Sequence, residues 1–154
     1  MRIRLLILFL VLNFGALALG SIFTNSGVVS DWYISLNKAP WTPPGWVFGA
    51  AWTFIMLCFS FYMANIFKFT AQKRRIVFLY VMQWIFNVSW NMIFFKYHFT
   101  ATALACISLL FILTLIFLVI AIRQKKAVQV MLILPYVIWL VIAVSLNAYI
   151  VANN

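Results

Sequence analysis

Five long apolar runs, separated by short breaks where nearly all the charge collects, set the pattern of this chain. They cover roughly 3–23, 43–67, 75–95, 100–122 and 128–151, and at about 1.5 Å per residue each can cross a bilayer as a helix. No Asp, Glu, Lys, Arg or His lies deep in any run. The pattern predicts an all-α membrane protein, a single domain over 1–154 built as a bundle of five transmembrane helices. The connection 24–42 is the longest, and a connection of that length in a small protein tends to be functional. A lid is one reading of it and a disordered loop is the other. Asp31-Trp32-Tyr33 followed by Leu36 predicts a short helix lying over the membrane face.

The polar positions inside the runs carry the next level of detail. In the first run Ala16 and Gly20 share a face with Asn13 nearby, a spacing that permits close helix packing without proving a dimer. Ala18-Leu19-Gly20 resembles a signal-peptidase site, but the run is long for a signal segment, and a retained helix is the expectation. Before the second run stands Lys38-Ala-Pro-Trp-Thr-Pro-Pro-Gly-Trp46. Proline bars the preceding residue from the helical region and is tolerated at a helix start, so Thr42 is expected to cap a helix beginning at Pro43 and Pro44. Trp41, Trp46 and Trp52 would then sit near a membrane interface. Trp52, Met56, Phe59 and Met63 fall at helical spacing on one face.

In the third run Gln83, Asn87 and Asn91 recur every four residues. Amides are unfavourable in hydrocarbon unless they are paired or line a cavity. Hydrogen bonds between helices and the polar wall of a pocket are therefore the two compatible readings. The fifth run repeats the logic with Trp139, Ala143 and Asn147, after a Pro135 expected to kink the helix.

Composition agrees with the membrane reading. The chain is 68% hydrophobic and only 8% charged, too little polar surface to solvate a particle of 154 residues. Its net charge of +10 comes from eleven Lys and Arg against one acid, Asp31. These cations flank the apolar runs and form no stripe with exposed aromatics, which argues for the lipid bilayer as partner and against nucleic acid. Arg2, Arg4, Lys68, Lys73, Arg74, Arg75, Arg123, Lys125 and Lys126 fall on one side of a five-span topology, and only Lys38 and Lys96 on the other. That bias predicts a cytoplasmic N-terminus, with the first loop and the C-terminus outside. In a bacterium the membrane would be the plasma membrane.

Chemistry by ordinary routes is scarcely provided for. With Asp31 the sole carboxylate and His98 the sole histidine, no acid–base or nucleophilic constellation is visible, and no metal site is expected. The lack of ionisable groups within the runs argues against proton-coupled transport. Cys58 and Cys106 read as packing residues.

Three stretches in order, Lys38-Ala-Pro-Trp-Thr-Pro-Pro-Gly with Trp52, then Gln83-Trp-Ile-Phe-Asn87-Val-Ser-Trp90-Asn, then Leu134-Pro-Tyr-Val-Ile-Trp139 with Leu146-Asn147, resemble the translocator protein family, also called tryptophan-rich sensory proteins or peripheral benzodiazepine receptors. The resemblance spans essentially the whole chain. It implies a five-helix bundle whose first loop covers a pocket that takes porphyrins and synthetic benzodiazepine-type ligands, in sensing, scavenging or transport, with no required cofactor. Carried over, the ligand-binding residues would be Tyr33, Trp52, Asn87, Trp90, Trp139 and Ala143, with Pro43 and Pro44 shaping the mouth and Gln83 and Asn147 completing the amide lining. The alternative implied is light-dependent porphyrin breakdown, for which Trp52 and Trp139 are the photochemical candidates. Two departures stand out. Tyr149 is followed by no Lys or Arg, which argues against the sterol pattern of animal members, and the third run lacks the Gly/Ala pairs that mark a homodimer interface in some relatives.

Overall fold

The computed structural model describes residues 3–69 and 71–154; Arg2 and the side chain of Lys68, both part of the basic bias, lie outside the described residues. Six α-helices form, α1 (Ile3–Gly27), α2 (Asp31–Ser35), α3 (Gly45–Phe69), α4 (Lys73–Asn91), α5 (Thr100–Arg123) and α6 (Ala127–Asn153), and no strand occurs among the described residues. All but α2 are long and apolar enough to cross a membrane, α4 by way of a closing π-helical turn, Met92–Lys96. The chain is a multi-pass membrane protein.

The spanning helices close a ring. α1 packs on α3 and α4, α3 on α6, α6 on α5, and α5 on α4. The centre is filled by Phe59, Tyr62, Phe117, Tyr136 and Leu140, all fully buried. Phe59 meets Phe117 and Tyr136 edge-on at 5.6 and 5.4 Å, the arrangement that ring quadrupoles favour. Met56, Phe59 and Met63 are buried together, as their spacing predicts, while Trp52 stays half-buried at the end of the same face. Phe54, Phe61, Phe78, Ile112 and Ile138 point outward. In water such a surface would drive aggregation; hydrocarbon is the solvent that accepts it.

Several boundaries move. α1 continues to Gly27, four residues beyond the predicted span, so the first connection is 28–44 and contains α2. Thr42 does not cap α3. The helix starts at Gly45, the Pro44 carbonyl accepts the Val47 N–H, and the Thr42 hydroxyl donates to Ala39 O at 2.7 Å in the turn around Pro40-Trp41. Two consecutive prolines hold the backbone extended ahead of the helix, and the first helical turn forms only after them. α6 runs unbroken through Pro135.

The small face of α1 is used inside the chain. Asn13, Ala16, Gly20 and Gly27 are buried, and a Cβ on Gly20 would come within 2.8 Å of Asn91 Nδ2. A Cβ on Gly27 would fall into the Phe95 side chain, so the helices can approach there only because glycine has none. Ala18-Leu19-Gly20 lies within α1, which helps close the ring.

Candidate functional site

Two of the stripe amides and one indole converge on one tyrosine. Tyr136, on α6, accepts hydrogen bonds from Gln83 Nε2 at 2.7 Å and Asn87 Nδ2 at 3.2 Å, both on α4. Trp52 of α3 meets its ring edge-on at 5.8 Å. One turn along α6, Trp139 packs edge-on against Phe48 at 5.3 Å, and Ala143 follows on the same buried face. A further turn on, Asn147 accepts from Trp90 Nε1 at 3.0 Å and donates to the Thr100 carbonyl at 3.0 Å, tying α4, α5 and α6 together. Three helices thus bring Trp52, Gln83, Asn87, Trp90, Trp139, Ala143 and Asn147 together, from mid-bundle towards the end that holds α2.

Two polar atoms in this cluster are left over. Trp139 Nε1 and Gln83 Oε1 are buried without a hydrogen-bond partner. Turning the Gln83 amide over would exchange an unmet acceptor for an unmet donor, so one end stays open either way. A buried, unmet polar group costs about 1–3 kcal/mol, which makes such groups rare in a finished interior and natural in a site awaiting a ligand.

Asn91 departs from the stripe. Eight residues after Gln83 the helix has turned about 80° away, at about 100° per residue. Its Oδ1 accepts from Thr24 of α1 at 2.8 Å and its Nδ2 donates to Asn87 O. Trp90, nearly in line with Gln83, faces α6 instead. Tyr33 also stands apart. It packs at 5.6 Å from Phe95 and 6.5 Å from Phe94, with Lys38 Nζ 4.7 Å over its ring, and burial pushes its hydroxyl pKa up. Trp90 joins the two groups, since it also stacks on Phe94 at 5.3 Å. Pro43 and Pro44 lie in the extended run before α3, Pro44 exposed.

The segment 28–44 crosses this same end. Ser30 caps α2 by accepting the Tyr33 N–H. Trp32 stacks on His98 at 3.9 Å, Asn37 exchanges hydrogen bonds with Asn154, and the Trp41 indole donates to Ser145 of α6 at 3.1 Å. His98 can take that position because it adopts a left-handed backbone (φ 58°) where the α4 extension ends.

The model of the TspO/MBR family matches residues 6–152. The chain belongs to the TspO/MBR family. Among its relatives, the tryptophan-rich sensory protein of Cereibacter sphaeroides is 32% identical over 117 residues, covering 76% of this chain and 73% of the relative. The tryptophan-rich protein TspO of Chlorobaculum tepidum is 30% identical over 138 residues, covering 88% and 86%. Protein CrtK of Rhodobacter capsulatus is 29% identical over 133 residues, covering 84% and 80%.

Two residues outside the predicted set organise this TspO/MBR chain's polar interior. Tyr136 is the first, and it was within reach: it lies three residues before Trp139, on the face that continues through Ala143 to Asn147. Asn13 is the second. Its Nδ2 donates to Ser60 Oγ at 2.8 Å and its Oδ1 accepts from Tyr80 at 2.7 Å, so one amide is satisfied by α3 and α4 at once. Its partners are 47 and 67 residues away, and no local pattern announces them.

Proposed function

We propose that this protein binds porphyrins or related flat tetrapyrroles within the membrane, at the cluster around Tyr136, and acts in sensing, scavenging or transport. The observation that carries the reading is the pair of unmet buried atoms, an indole N–H and an amide oxygen, on facing helices among aromatic side chains. A porphyrin is flat and largely apolar, its carboxylates accept hydrogen bonds and its inner pyrrole N–H groups donate them. An aromatic site with a few convergent polar atoms suits that chemistry.

The cluster meets by direct contact, so a guest has to displace something. The displaceable elements are the Trp90–Asn147 bond and the strap 28–44, whose α2 rests on Phe94, Phe95 and His98. The strap would act as the lid. Titrating purified protein with protoporphyrin in the dark tests the reading. Saturable quenching of tryptophan emission at one porphyrin per chain is expected; partitioning that rises linearly with porphyrin, as in protein-free micelles, would refute it.

The basic bias orients this end outward. Arg75, Arg123, Lys125 and Lys126 lie at the opposite end of the bundle from α2. A C-terminal reporter active only outside the cytoplasm should therefore score positive, and a cytoplasmic score would reverse the topology.

A further inference from the structure

A groove of about 850 Å3 opens at the basic end, between the start of α4 and the last turns of α5. Ile76, Ile112, Ile116 and Val119 line its apolar length, and Arg75 and Arg123 stand at its rim. From Arg123 back to Ile112 the α5 wall rises about 17 Å at 1.5 Å per residue, close to the depth of one leaflet's hydrocarbon.

The rim has no anion of its own to draw on. Asp31, the only acidic side chain in the chain, belongs to α2 at the other end. Among the described residues Arg75 donates to the uncharged Gln72 amide, at a long 3.4 Å. The first turn of α4 adds N–H groups with no side-chain cap from Gln72, and the positive end of its dipole points the same way. An apolar trough one leaflet deep, ending in two guanidiniums and a helix N-terminus, has the shape and charge of a phospholipid's complement.

We propose that this groove is a binding site for an anionic phospholipid, its phosphate held by Arg75 and Arg123 and one acyl chain laid along Ile112, Ile116 and Val119. The site is independent of the porphyrin reading and of which way the chain faces. Guanidinium groups match phosphate oxygens in pairs, which separates a held lipid from the general attraction of a basic surface.

Native mass spectrometry of protein taken from nanodiscs of mixed phosphatidylglycerol and phosphatidylcholine tests it. The natural chain should retain one phosphatidylglycerol, and R75Q/R123Q should weaken that retention about thirtyfold. I116W, which blocks the trough and keeps every charge, should weaken it as well. K73Q/R74Q removes the same charge next to the groove and should leave retention unchanged; helicity and elution volume certify the fold of each variant. Equal loss in K73Q/R74Q, unchanged retention in R75Q/R123Q, or full displacement by inorganic phosphate would each overturn the proposal.

Discussion

Trp139→Phe is expected to weaken protoporphyrin binding about tenfold while leaving the empty protein as stable as before, within about 1 kcal/mol. The split follows from the unmet indole N–H. A ligand carboxylate that accepts from it forms a charge-assisted bond worth about 1.5–3 kcal/mol, and Phe cannot supply the donor. In the empty protein the same N–H is a burden of about 1–3 kcal/mol, and its removal offsets the loss of the larger ring's packing against Phe48. Dark titration gives the affinity and chemical unfolding in mixed micelles gives the stability. Trp52→Phe is the comparison, since Trp52 is half-buried and touches Tyr136 by its edge. Unchanged affinity in Trp139→Phe would remove this residue from the site. A loss of affinity matched by an equal loss of stability would reduce its role to packing.

Tyr136→Phe should destabilise the fold by about 1–3 kcal/mol, the largest effect of any single hydroxyl in the bundle. The change deletes one oxygen but strands two buried amide donors, on Gln83 and Asn87. In hydrocarbon neither can turn to water. Tyr62→Phe is the natural comparison, because the Tyr62 hydroxyl is buried as deeply and makes one bond, to Phe117 O at 2.7 Å. A single bond between helices in a membrane is worth about 0.6 kcal/mol on average. Unfolding midpoints should therefore fall in the order natural chain, Tyr62→Phe, Tyr136→Phe. A Tyr136→Phe protein no less stable than Tyr62→Phe would mean that the two amides find other partners.

The spans were legible because hydrocarbon imposes a constraint that length and composition can express: every 20-residue apolar run must satisfy its own backbone. The TspO/MBR family was legible too, since Trp52, the Gln83-to-Asn91 stretch and Leu134-Pro-Tyr carry it in local order. What stayed hidden was the choice of partners. Four-residue spacing put Gln83, Asn87 and Asn91 in one stripe, yet the drift of an α-helix against that spacing delivers Asn91 to α1 and the others to α6. Thr42 does not cap α3 because the proline pair, instead of forming the first helical turn, delays the helix to Gly45. The π-helical turn at Met92–Lys96 has no local signature, and it is what presents Phe94 and Phe95 to α2. The small residue Gly20 signals close approach without saying to what; the answer is Asn91 of the same chain, and Gly27, beyond the predicted span, meets Phe95 in the same way.

The most direct measurement is the indole N–H resonance of Trp139 in 15N-tryptophan-labelled protein, assigned by its disappearance in Trp139→Phe. Without ligand it should resonate upfield, as an N–H that donates to nothing, and one equivalent of protoporphyrin in the dark should move it downfield as a bond forms. A resonance already downfield in the empty protein, or one that protoporphyrin leaves in place while Trp46 and Trp41 at the surface respond, would contradict a site built around Tyr136 and Trp139.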